Sequence, residues 1–211
     1  MLTALGYTIP LAFASGLNVY ATVAVLGLCS HYGLVALPPQ FRAFDNPTVI
    51  TVALAMYLVE FVADKIPWID SLWDMVHTAV RPIGGAIVAV TALGDASPMA
   101  TALAALVGGS VAMTTHLTKA GTRAAANTSP EPFSNWILSF GEDLLAVSIT
   151  YGALRHPMLT LAIAVALVAV MLAFASILIR AVRRRFARRR RRPDRALSQI
   201  DVPSACAASR K

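Results

Sequence analysis

The sequence predicts an all-α fold, a polytopic transmembrane helical bundle of about six spans, with seven as the alternative count. Three observations carry this reading. Hydrophobic residues make up 57% of the chain and charged residues only 14%, against about 45–50% and 25% in a soluble domain. No charged residue precedes Arg42. Apolar stretches fall at about residues 3–35, 48–64, 76–96, 98–118, 134–153 and 157–180, near the ~20 residues a helix needs to cross a bilayer.

The first stretch is too long for one straight crossing. Pro10 and the polar run "SGLNVY" at 15–20 interrupt it, so Gly16 and Asn18 mark an expected break. The outcome is either one kinked helix or a half-helix followed by a full one. The second stretch ends in "EFVADKIPWIDSLWD" (60–74), with five charged side chains in fifteen residues. Pro67 places a turn at about 65–69. In the third, "RPIGG" at 81–85 removes a backbone donor at Pro82 and adds flexibility at Gly84, so a discontinuous helix is expected there alongside simple close packing. The fifth is only marginally apolar because it carries Glu142 and Asp143. The sixth runs directly into arginines.

Charge divides the chain into two parts. Residues 1–179 hold six basic and nine acidic side chains, a net of −3, while 180–211 hold twelve basic and two acidic, a net of +10. The expected domains are a transmembrane domain over 1–180 and a basic, largely disordered cytoplasmic tail over 181–211. Positive charge on the tail keeps it cytoplasmic and next to anionic lipids. With six spans, the N-terminus is then cytoplasmic as well. Only Phe186 interleaves the arginine block, which argues against nucleic acid as a partner. The two cysteines, Cys29 and Cys206, form no disulfide framework. The N-terminus lacks the basic region of a signal peptide.

Helical spacing gathers the charges into stripes. Asp70, Asp74, His77 and Arg81 step by 4, 3 and 4 and share one face. Glu60 and Asp64 form an i, i+4 pair on the preceding span. His116, Lys119, Arg123 and Asn127 step by 3, 4 and 4. Asn135, Ser139 and Glu142 follow with 4 and 3, with Asp143 adjacent. A charge at mid-bilayer costs roughly 2.5–3.5 kcal/mol on insertion scales, so such groups pair or line a wet cavity. Arg81 is expected against Asp74 or Glu142, and Arg123 against Glu60 or Asp143. Glu60 has no basic neighbour at helical spacing, which makes it the candidate proton carrier. "SGLNVYA" (15–21) and "AGTRAAA" (120–126) hint at two inverted three-helix halves with broken helices.

The blocks "FVADKIPWIDSLWDMVHTAVRPIGGAIVA" and "KAGTRAAANTSPEPFSNWILSFGED" resemble the bacterial membrane family known as domain of unknown function 4126. The resemblance covers about residues 10–175 and leaves out the basic tail. It implies a multi-spanning bacterial membrane protein and supplies no activity and no functional residue.

The expected function is transport or channelling of a small solute or ion in the bacterial cytoplasmic membrane. The candidate binding residues are Glu60, Asp64, Asp70, Asp74, His77, Arg81, Lys119, Arg123, Asn127, Glu142 and Asp143. No cofactor is expected. Carboxylates with His77 and His116 suit protons or a divalent cation, while Arg81, Lys119 and Arg123 suit an anionic headgroup or phosphate. The alternative is a structural or assembly protein whose ion pairs only orient helices. A membrane enzyme acting on a lipid or isoprenoid phosphate ranks third, because the chain lacks the lipid-phosphatase, phospholipid-synthase, His-Glu-x-x-His and Gly-x-Ser-x-Gly signatures.

Overall fold

The computed structural model describes residues 2–126 and 132–190. They form six α-helices and one 3₁₀ helix: α1 (Leu2–His31), the 3₁₀ helix (Pro39–Phe44), α2 (Pro47–Ala63), α3 (Pro67–Leu93), α4 (Pro98–Ala126), α5 (Pro132–Arg155) and α6 (Pro157–Arg190). Among the described residues there is no strand. Every helix after α1 begins on a proline, whose missing N–H and fixed φ suit the first helical position. The Asn46 side chain caps α2 by accepting from Thr48 N at 2.8 Å, and Gly94, at φ +72°, ends α3. The chain divides into two compact units, one ending at Leu172 and one beginning at Ala173. The second is helical as far as Arg190. Asn127 and the tail beyond Arg190 lie outside the described residues.

α1 is two arms joined at Asn18, whose φ of −155° and ψ of 101° are extended. The arms double back on each other. On the first, the Tyr7 ring packs edge-on to Phe41 at 5.3 Å, and a methyl on Gly6 would stand 2.9 Å from Pro157 Cβ. Its far end, at Asn18, bonds Asp143 within α5. On the second arm, Val19 fits against Gly84 in the body of α3, and Gly27 abuts Phe44 and Ile50 at the start of α2. Phe41 and Phe44 share the one short 3₁₀ helix, so Tyr7 and Gly27 sit at the same end of the bundle. A straight helix would hold them about 30 Å apart.

The first apolar stretch is therefore a re-entrant hairpin whose tip, residues 16–19, lies part-way down the bundle. By length and composition five helices are fit to cross a membrane, α1 among them, and α2 is shorter. The reversal at Asn18 takes α1 out of that set, because neither arm runs from end to end. α2 does: its first turn meets Gly27 and its last carries Glu60, a length of about 26 Å. The path is a hairpin followed by the helices α2 to α6.

α1 forms the centre. Its apolar window is 78% buried, against 11–39% for the other candidate spans. One apolar layer, including Tyr7, Leu11, Leu26, Phe41, Phe44 and Val88, fills the end at the 3₁₀ helix. A second, on the outer side of the first arm, joins Phe13, Ala14 and Leu17 to Ala146, Ile149 and Ala164. Small residues let the helices close. A methyl on Gly16 would stand 2.5 Å from the Ala112 carbonyl oxygen, and one on Gly85 would collide with Ala112 Cβ. The expected break at Pro82 and Gly84 is absent: α3 is continuous from Pro67 to Leu93. Gly84 is used to admit Val19, and packing on α1 and α4 holds the helix together through the proline.

Candidate functional site: a buried charge cluster at the hairpin tip

The molecule is polar inside and apolar outside. Glu60, Asp64, Asp70, Arg81, His116, Lys119 and Arg123 are all buried, while Leu58, Ile87, Leu106, Leu144 and Leu159 are exposed. That inversion is informative, because an exposed apolar belt of this extent marks a lipid-facing surface.

The hairpin tip organises the upper part of the cluster. Asn18 acts as an internal N-cap: its side-chain oxygen accepts from Ala21 N at 2.9 Å. Ala21 is the residue whose N–H would otherwise bond the Leu17 carbonyl. The freed Leu17 oxygen accepts from Lys119 Nζ at 3.1 Å, and the Gly16 oxygen from Arg81 Nη1 at 3.1 Å. Two cations thus meet the carbonyl end of the first arm, where the helix dipole favours them. Asp143 meets the second arm at its start, accepting from Asn18 Nδ2 at 3.0 Å.

Below the tip, α2, α3, α4 and α5 each add charge. Arg81 bonds Glu60 through Nη2. Lys119 Nζ lies 3.4 Å from Glu60, 3.2 Å from Asp64 and 3.5 Å from Glu142. Arg123 binds Asp64 at 2.8 Å, Asp70 at 2.9 Å and Glu142 at 2.7 Å. The helical stripes read from spacing therefore come together, with Asn127 outside the described residues. The partners differ from those expected. Arg81 takes Glu60 rather than Asp74 or Glu142, and Arg123 takes Asp64, Asp70 and Glu142 rather than Glu60 or Asp143. Helical spacing fixes which face a side chain occupies, whereas its depth relative to a neighbouring helix depends on where each helix starts. Glu60 is correspondingly not the isolated carboxylate: two cations from other helices reach it.

The partners of His116 fix it as neutral. Arg81 can only donate, so His116 Nδ1 accepts from it at 3.0 Å, leaving the proton on Nε2, which donates to the Asp74 carbonyl at 3.1 Å. His77 Nδ1 donates to the Trp73 carbonyl at 2.8 Å, and its Nε2 lies 3.2 Å from the Tyr20 hydroxyl. Both nitrogens of His77 are engaged away from the carboxylates. Among the described residues no three His, Cys, Asp or Glu side chains gather as a metal-binding group. Lys65 stands apart, its ammonium 3.1 Å over the Phe61 ring. Burial pulls its pKa below the ordinary lysine value, with Asp143 and Asp64 opposing.

Asp70, Asp74, Met75, Thr78, Ala120 and Arg123 line a cavity of about 340 Å³ at the α3–α4 face of the cluster. Asp70 Oδ2, Asp74 Oδ1 and Asp143 Oδ2 are buried and accept no hydrogen bond among the described residues. Six carboxylates face three cations here. Sequence spacing missed Tyr20, Thr78 and the carbonyls of Gly16 and Leu17. No pattern signals Tyr20, and main-chain ligands become visible only once the helix is seen to break.

Buried ion pairs beneath an apolar exterior define a multi-pass α-helical membrane protein with a polar centre. The chain belongs to the family described as domain of unknown function (DUF4126), whose model matches residues 5–177. No curated protein and no solved structure matches it.

Proposed function

We propose that the chain carries a small solute or ion across a bacterial cytoplasmic membrane. The observation that supports this best is the layering along the bundle: a cavity lined by Asp70 and Asp74, then the ion-paired cluster, then a broken-helix tip, then the apolar layer of Tyr7, Phe41 and Val88. Charged groups at membrane depth lie mostly on ion or substrate paths, and discontinuous helices at such depth recur in transporters. On this reading the apolar layer is the closed gate, and the hairpin, tied to the cluster by Asn18, Gly16 and Leu17, is what moves. On this reading the basic tail, with ten arginines between 180 and 195, stays on the cytoplasmic side.

The structural reading rests on a separate observation. Lys119 and Arg123 place their donors on carboxylates and carbonyls, as they would in ion pairs that only orient helices. Proteoliposomes separate the two. Flux of protons, alkali cations or small amines above that of protein-free vesicles, lost in Asp74→Asn at unchanged folding, supports transport. Vesicles as tight as the protein-free control to all of these overturn it and leave the structural reading.

A further inference from the structure

We propose that the cavity at Asp70, Asp74 and Thr78 binds a small organic cation bearing a protonated amine. This rests on the transport reading for what the site is used for, and adds the chemical class of its ligand.

The sign comes first. Arg123 forms one wall, yet it has nothing to offer an anion. Its Nε donates to Glu142, its Nη1 to the Asp64 carbonyl and Asp70, and its Nη2 to Asp64 and Glu142. Lys119 is likewise committed to the Leu17 carbonyl, Glu60 and Asp64. A phosphate or lipid headgroup at Lys119 and Arg123, two of the three cations expected from sequence to hold one, would have to break charge-assisted bonds already formed.

The carboxylates are the opposite case. Asp70 and Asp74 are 1% and 7% exposed; both line the cavity, and each keeps one buried oxygen that accepts nothing among the described residues. A buried carboxylate oxygen left without a donor is costly. Two such groups one helical turn apart ask for a ligand that brings positive charge and several N–H donors. An ammonium head supplies three. Thr78 is one further turn along the same face; its hydroxyl donates to the Asp74 carbonyl at 2.9 Å and lies 3.2 Å from His116 Nε2, so toward a ligand it offers only its remaining lone pair.

Size and lining choose an organic cation over a bare ion. A volume of 340 Å³ equals the liquid volume of roughly eleven waters. Besides Ser71, the lining is finished by Met75, Ala120 and Ala124, whose apolar surface suits a short hydrocarbon body attached to the charged head.

The test titrates the full-length protein in detergent with butylammonium chloride, following thermal unfolding and isothermal titration heat. Tetramethylammonium, which has the charge without an N–H, and potassium phosphate are the comparisons. The expected result is saturable stabilisation by butylammonium, with little from tetramethylammonium and none from phosphate. Asp74→Asn should weaken the butylammonium affinity by about tenfold, the loss of one charge-assisted hydrogen bond. Should Asp74→Asn fail to fold, Ala124→Leu, which fills the cavity without touching the ion pairs, should block the same binding. No butylammonium binding, equal binding by both variants, or competition by phosphate would each overturn the proposal. Amine binding without flux in proteoliposomes would sink the transport reading and leave this site standing. Flux of another solute with no amine binding would do the reverse.

Discussion

Asn18 and Asp143 are 125 positions apart in the chain and joined by a hydrogen bond of 3.0 Å, Nδ2 to Oδ1, inside the bundle. The same asparagine caps the second arm of α1 through its oxygen. One side chain therefore stabilises the reversal of the hairpin and ties its tip to α5.

Asn18→Ala should lower stability by about 1–3 kcal/mol, combining a lost cap with a buried carboxylate oxygen left without its donor. Asn18→Asp keeps a capping oxygen but sets a second carboxylate against Asp143, so its stability should fall as pH rises and both groups ionise. Unfolding midpoints in detergent across pH would check both variants, and an Asn18→Ala protein as stable as wild type would remove the cap from the account.

Arg123 binds three carboxylates, Asp64 just past the end of α2, Asp70 in α3 and Glu142 in α5. Arg123→Gln should destabilise by about 3–5 kcal/mol, the usual cost of breaking a buried pair from one side. Arg123→Lys should recover only part of this, because a point charge cannot reproduce the guanidinium fork. Pairing Arg123→Gln with Asp70→Asn should cost less than the sum of the two, which a double-mutant cycle measures directly.

Gly85 and Ala112 set how closely α3 and α4 approach, since a methyl on Gly85 would collide with Ala112 Cβ. Gly85→Val should cost about 1–3 kcal/mol through overpacking, and Ala112→Gly in the same chain should return part of it. Equal stability of Gly85→Val and wild type would mean the helices are free to part.

The hairpin makes a topological prediction. Leu5 and Tyr32 are both exposed, at the outer ends of the two arms, and Ile66 is exposed at the opposite end between α2 and α3. In a background lacking Cys29 and Cys206, cysteines at positions 5 and 32 should react with a membrane-impermeant reagent from one side of the membrane, and one at 66 from the other. Labelling of position 5 together with 66 would show that α1 crosses.

The sequence by itself determined the all-helical class, the polar break at Gly16–Asn18 and the grouping of Asp70, Asp74, His77 and Arg81 on one face. These are local matters, set by apolar run length, helical period and the few residues that tolerate an interrupted backbone. Only the tertiary structure decided that α1 turns back, that α3 runs unbroken through Pro82, and that Glu60 rather than Asp74 receives Arg81. Each of these depends on contacts between residues far apart in the chain. Asp143 rewards the reversal at Asn18, Val19 and Ala112 fill the space beside Gly84 and Gly85, and helix depth brings Glu60 level with Arg81. A period along one helix carries no information about its depth against the next, and an arginine's partner is set by depth.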